Sequence, residues 1–343
     1  MYFGYDRNTV SKYHHQLLDK HFTLPKVQEG ELKAQDIEDY VQSIKASAPH
    51  WYAIHFPGHV DKDRLALKPR LWLARLDRLG RGASAPLLMA SLTGDLPQTE
   101  AGEIMKMVES FNFLINAVCQ RKSNTGDSVI YNLAHDLYRG EKTKDDILNR
   151  LQELTHKYLS MSWAISSMQE EWEGFYSWRG RHYFLYEYEE HLREAAGMNQ
   201  QKVDWESFSK AKKDYFTIEH ILPQSANLDE WPEFSQLSEE ERYSYLHSLG
   251  NLLPLSTHRN AAFSNRSFKS KREGTGNYSG YTEGSLSEIK VAEKETWSPQ
   301  QIRERSFQMF EFLEKRWGLN SRWKVKMSKN EKEKFLLLPC SEE

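Results

Sequence analysis

Cysteine is scarce in this chain: Cys119 and Cys340 are the only two in 343 residues, and no C-x-x-C occurs. That scarcity excludes a disulfide framework and a structural zinc site built on paired cysteines, and it suits a reducing compartment. Long apolar runs are missing too. The most apolar short stretch, Ala85 to Leu92, falls far below the length that crosses a bilayer. The opening MYFGYDRNTVSKYHH lacks the basic-then-apolar order of a secretory signal. A cytoplasmic protein with no membrane role is expected. Charge of one sign is not in excess. The net charge is −3, so any surface for a polyanion must be local. There is no H-E-x-x-H and no G-x-S-x-G, which removes the commonest zinc-peptidase and serine-hydrolase signatures. No internal repeat is present. With 39% hydrophobic and 28% charged residues the composition is that of a folded globular protein, and the length allows two domains.

What is present reads first as helix. Ile37, Tyr40, Val41 and Ile44 fall at helical spacing, as do Leu65, Trp72, Leu76 and Leu79, with Pro69 opening that helix. Ile104, Val108, Phe111, Ile115 and Val118 predict an amphipathic helix that ends at the polar loop Lys122 to Asp127. Two more helices are expected over Val129–Tyr138 and Asp145–Leu159. Ser162 to Ala196 is rich in aromatics, which reads either as packed helical core or as a base-stacking platform. A boundary is expected at Gly197 to Gln201. Beyond it, Tyr215–Ile218 and Leu252–Leu255 are strand-like, with an acidic helical insert around Leu237–Leu249 between them. Gly274 to Gly284 reads as a mobile loop. Ser298, Pro299 and Gln301 start a last helix whose core face is Ile302, Phe310, Leu313 and Trp317. The expected division is a helical domain over 1–160, a second domain over 161–320 and a C-terminal tail over 321–343.

The residues that carry chemistry lie in the second half. Glu219 directly precedes His220 at the end of the first strand-like stretch, with Pro223 close behind. A neutral imidazole can take a proton from water near neutral pH, and a carboxylate can hold a hard cation against a phosphate. Adjacent strand residues point to opposite faces, so a bend is needed for the two to work together. Asn251 begins the second strand, where its amide can pin the loop that carries His220. Asn260, nine residues later at a helix start, offers an amide oxygen as a neutral ligand. From Ser256 to Thr275 the net charge is +4, with Arg259, Arg266, Lys269, Lys271 and Arg272 as candidate phosphate contacts. A solvated helix face is the plainer reading of such a run. Ala226 to Tyr245 carries −5, which reads as solvated surface.

The order carboxylate–His, Asn, Asn resembles the ββα-metal fold of HNH nucleases. Glu219-His220-Ile221-Leu222-Pro223-Gln224-Ser225 is similar to the HNH stretch of RNA-guided CRISPR nucleases. Asn260-Ala261-Ala262-Phe263-Ser264-Asn265, with Phe268, Lys271 and Arg272, resembles the C-terminal nuclease domain of GmrSD-type, modification-dependent restriction endonucleases. Arg181 to Glu189 is similar to the helix before the site in that family, and Trp297, Ile302 and Arg305 to its closing helix, so the resemblance spans roughly 160 to 318. It implies a mainly α (α+β) protein: a helical N-terminal region, then a ββα-metal core surrounded by helices. It implies metal-dependent cutting of DNA in defence against foreign or modified DNA. His220 would be the base, Glu219 and Asn260 the ligands of Mg²⁺ or Mn²⁺, Asn251 a further residue of the catalytic set, and Asn265 a nucleic-acid contact. The family pairs this domain with a nucleotidase domain bearing Asp-Gly-Gln-Gln-Arg, a string this sequence lacks. A separate nucleotidase subunit, or a split or truncated chain, is the expectation. The alternative is a catalytically silent DNA-binding or partner-binding subunit.

Overall fold

The computed structural model describes residues 2–4, 17–61, 63–198, 205 and 216–340. His14, His15 and Tyr215, and Asn199 to Gln201 of the expected boundary, lie outside the described residues. The chain divides into two compact units, Met1–Leu159 and Ser160–Glu343, both mainly helical. Among the described residues no helix is long and apolar enough to cross a membrane.

The first unit contains α1 (Ala34–His55), α2 (Leu67–Leu79), α3 (Ala85–Leu92), α4 (Gln98–Phe111), α5 (Asp127–Tyr138) and α6 (Lys144–Tyr158). Helix α4 is its centre. Ile104, Met105, Val108 and Phe111 are buried, and the chain runs on through a wider-turned segment, Asn112–Val118, that buries Leu114, Ile115 and Val118. Helices α2 and α6 pack on α4, and α3 packs on α5. Thr143 starts α6 with a reciprocal cap, accepting from the Asp146 amide at 3.3 Å while its own amide donates to the Asp146 carboxylate at 2.9 Å. Helix α1 forms where the spacing predicts it, but Ile37, Val41 and Ile44 are exposed, so that stripe is not core. Periodicity specifies the helix; only packing decides which face is covered.

The second unit places α7 (Met161–Gln169), α8 (Gly174–Ser177) and α9 (Arg181–Ala195) before β1 (Phe216–His220). Then come α10 (Glu239–His247), β2 (Leu252–Ser256), α11 (Thr257–Phe263) and α12 (Phe268–Glu273). Strands β3 (Gly274–Thr275) and β4 (Tyr278–Ser279), then α13 (Leu286–Ala292), α14 (Pro299–Trp317) and α15 (Lys329–Phe335), complete it. Of the two readings of the aromatic segment, core holds for Phe175, Trp178, Tyr183, Phe184, Tyr186 and Tyr188, which are buried; Trp163 and Trp172 are exposed. Strands β1 and β2 pair antiparallel, Phe216 opposite Ser256 and His220 opposite Leu252. Pro254 is tolerated because this sheet has only two strands, so an edge without a donor breaks no further ladder. The stretch expected to be a mobile loop is instead a small hairpin. Thr275 pairs with Tyr278 across a two-residue turn in which Gly276 takes φ +58°. Helix α14 starts at Pro299 as expected, but Ser298 accepts from the Gln300 amide and donates its hydroxyl to the Gln301 side chain rather than forming the reciprocal box with Gln301; Ile302, Phe310, Leu313 and Trp317 are buried. Part of the expected C-terminal tail, within residues 321–340, packs on this unit. Phe335 packs edge-on to Phe175 and Phe310, and Arg303 pairs with buried Glu333 at 2.6 Å.

Candidate active site

The site is organised by the alternation of β1. Thr217 and Glu219 leave the strand on one side, Ile218 and His220 on the other. On the Glu219 side, Lys271 of α12 reaches its carboxylate at 2.5 Å, and the Tyr281 hydroxyl donates to the same Oε1 at 3.4 Å. Asn260 of α11 donates through Nδ2 to the Thr217 hydroxyl at 2.7 Å, which brings its amide to that face. On the other side, the Tyr176 ring lies 4.4 Å from the His220 ring, tilted by 35°, and His247 meets His220 edge-on at 5.3 Å. Glu219 and His220 thus share the end of one strand and meet different neighbours.

Burial sets the electrostatics. His220 is buried, and the enclosure, with His247 and Lys271 nearby, pushes its pKa down to about 3. Its Nε2 has no hydrogen-bond partner, and neither has Nδ1 of His247. Burial pushes the Glu219 carboxyl up against the opposing pull of Lys271, and it pushes the Lys271 ammonium down against the pull of Glu219.

The loop after His220 is clamped from the second strand. Leu222 N donates to Asn251 Oδ1 at 2.8 Å, and Asn251 Nδ2 donates to the carbonyls of Leu222 at 3.1 Å and Leu246 at 3.0 Å. Trp297 Nε1 donates to the same Oδ1 at 3.2 Å. Helix α14 holds the clamp from behind. Arg305 Nη1 donates to the carbonyls of Gly250 at 2.7 Å and Leu252 at 2.8 Å, and the Gly250 amide donates to the Ser306 hydroxyl at 2.9 Å. A Cβ at Gly250 would collide with the Ile302 carbonyl and the Ser306 hydroxyl. Gly250→Ala is therefore expected to destabilise the second unit by about 2 kcal/mol or more, read from the denaturant midpoint. Wild-type stability in that variant would mean that α14 does not press on this turn.

These geometries lie inside a segment with a known counterpart. Residues 165–312 match the model of the family described as GmrSD restriction endonucleases, C-terminal domain. That segment of the chain is similar to a GmrSD C-terminal domain. No curated protein and no solved structure gives a significant match.

Within the matched segment the expected phosphate contacts separate into three groups. Asn265, Arg266 and Lys269 are exposed. Arg259 and Arg272 are partly covered and spend their guanidiniums on the protein. Arg259 donates to the carbonyls of Ser279 and Gly280 and pairs with buried Glu288 at 2.5 Å; Arg272 donates to the Ala292 carbonyl at 2.8 Å. Lys271 departs from the expectation altogether. It is fully enclosed, and its ammonium is held by Glu219 and by the carbonyls of His220 at 2.9 Å and Ile221 at 3.1 Å. The +4 run was counted without knowing which members face inward.

Sequence reasoning assigned no role to Tyr176, His247, Arg305 or Trp297. Trp297 and Arg305 entered only as marks of a closing helix. Tyr176 and His247 lie 44 residues before and 27 after His220, and no local pattern signals such a meeting. The donor set on the Glu219 side suits a hard divalent cation. It offers a carboxylate whose Oε1 is engaged by Lys271 and Tyr281, and an amide whose Nδ2 is turned to Thr217, which leaves Asn260 Oδ1 as an acceptor.

Proposed function

We propose that this chain is a metal-dependent, HNH-type endonuclease that hydrolyses phosphodiester bonds in DNA, working in the cytoplasm in restriction of foreign or modified DNA. The observation that carries the reading is the end of β1, inside the segment similar to the GmrSD C-terminal domain. There an imidazole with an unpartnered Nε2 and the Glu219 carboxylate leave adjacent backbone positions, and the Asn260 amide is held to β1 through Thr217. In this reading His220 Nε2 accepts a proton from water as the water oxygen bonds to phosphorus. The bond from phosphorus to the leaving ester oxygen breaks, and that oxygen takes a proton from solvent. Mg²⁺ or Mn²⁺, held by Glu219 and Asn260, would stabilise charge on the phosphate oxygens. Asn251 keeps the Leu222 loop, and with it His220, in register. Because Nε2 is enclosed and the Tyr176 ring lies over the imidazole, Tyr176 turns aside when substrate enters. A separate nucleotidase subunit is the partner that the family resemblance supports.

The direct test is incubation of the full chain with plain and modified phage DNA in Mg²⁺ or Mn²⁺, then in EDTA. Cutting that EDTA stops supports the reading; binding without cutting in any metal supports the silent-subunit alternative. Arg266 and Lys269 are the exposed cations beside Asn260. Replacing both with alanine is expected to weaken DNA binding uniformly across sequences and to reduce the salt slope of log K by about 2. An unchanged slope would move the phosphate-binding surface elsewhere.

A further inference from the structure

Among the described residues Lys271 is the one buried lysine, and it is buried completely. Its three protons have three acceptors: Glu219 Oε1, the His220 carbonyl and the Ile221 carbonyl. A buried ion pair is a poor source of stability, because apolar residues of the same volume often serve as well. Its place is informative. All three acceptors belong to the two residues proposed to do the chemistry and the one that follows them. Tyr281 donates to the same carboxylate oxygen as Lys271. Oε1 is thus taken by two donors, while neither of them engages Oε2.

We propose that Lys271 is a positioning residue of the metal site: it neutralises Glu219 and occupies Oε1, so that a divalent cation is taken weakly and, of the two carboxylate oxygens, through Oε2. The proposal rests on Glu219 being a metal ligand. An uncompensated buried carboxylate would attract a divalent cation strongly. The ammonium beside it removes most of that attraction and leaves the cation the few protein ligands and several waters that Mg²⁺ chemistry favours. A lysine that only braced the chain would act through the two carbonyls and would leave metal affinity alone.

The test uses the full chain without DNA and Mn²⁺ as the probe, with free Mn²⁺ counted by electron paramagnetic resonance. Wild type is expected to bind one weak Mn²⁺ that Glu219→Gln removes. Lys271→Gln keeps donors for the carbonyls but loses the charge, and it is expected to bind Mn²⁺ at least tenfold tighter. The half-saturating Mn²⁺ concentration for cutting should shift the same way. Unchanged or weaker binding in folded Lys271→Gln overturns the proposal. A measurement on the wild type guards against a variant that does not fold. The exchange-protected ammonium resonance of Lys271 should broaden at substoichiometric Mn²⁺, and a signal untouched at saturation also overturns it. If Mn²⁺ binds through Glu219 but DNA is never cut, the nuclease reading fails and this one stands. If Glu219→Gln leaves Mn²⁺ binding unchanged, the metal assignment and this proposal fall together.

Discussion

His220→Ala is expected to lower metal-dependent DNA cutting by about a thousandfold, within the range that a positioned general base contributes, while DNA binding stays within about twofold of wild type. Single-turnover cutting and a binding assay in EDTA separate the two. Equal loss of both would make His220 structural. The pH profile carries a second expectation. Burial, His247 and Lys271 hold His220 at about 3, so in the free protein the imidazole is already neutral throughout the physiological range. The acid limb of kcat/KM, which reports the free enzyme, should therefore lie well below pH 6.5. A limb at 6.5 would show that His220 is not the group being titrated, or that the enclosure opens before substrate binds. Stability follows the same linkage. The folded pKa lies below the unfolded one, so the unfolded chain binds the proton first. The contribution of this group is complete above about 6.5 and is lost as pH falls toward 3, at up to about 1.4 kcal/mol per pH unit. His220→Ala should flatten that part of the acid-denaturation curve.

The second large effect is expected at Asn251. Its buried amide satisfies the Leu222 amide and carbonyl, the Leu246 carbonyl and the Trp297 indole N–H. Asn251→Ala leaves those groups without a partner inside the core and should cost about 3 kcal/mol or more of stability, seen in a urea denaturation curve. Cutting by the folded fraction should fall by about a hundredfold, the order by which slight misplacement of a catalytic group slows an enzyme, because the Leu222 loop no longer holds His220. Asn251→Asp is the informative companion. It keeps an acceptor for Leu222 N and Trp297 Nε1 but turns a carboxylate oxygen toward two carbonyls. It should therefore be destabilised as well, although the volume is unchanged. A variant as stable and as active as wild type would mean that the loop is fixed by β1–β2 pairing alone.

Much of the secondary structure was legible from period and caps. Helix α14 could be read because Ser298, Pro299 and an apolar stripe give independent local signals for one start and one face. The stripe of α1 gave the helix but not its burial, because amphipathicity does not say whether a neighbour exists. The hairpin at Gly274–Ser279 was missed because two-residue strands have no period to detect. At the candidate site, Glu219, His220, Asn251 and Asn260 stand out in the sequence by adjacency and spacing. Arg305 was not given a role, since its contacts are carbonyls more than fifty residues away and a backbone acceptor leaves no trace in residue identity.

By itself the sequence determined the order of parts: a helical first half, a strand that carries Glu219-His220, a second strand that follows Asn251, and Asn260 in the helix after it. Local propensity and spacing are enough for that, because each signal lies within a few residues. Only the tertiary structure decided the surroundings of each side chain. Lys271 was counted with its neighbours as a surface cation, yet it is the ammonium that neutralises Glu219. The ring that covers His220, that of Tyr176, had no signal in the sequence around it. The reason is the same in both cases. Whether a charge faces water or another charge depends on residues dozens of positions away, and that pairing is settled by packing rather than by neighbours along the chain.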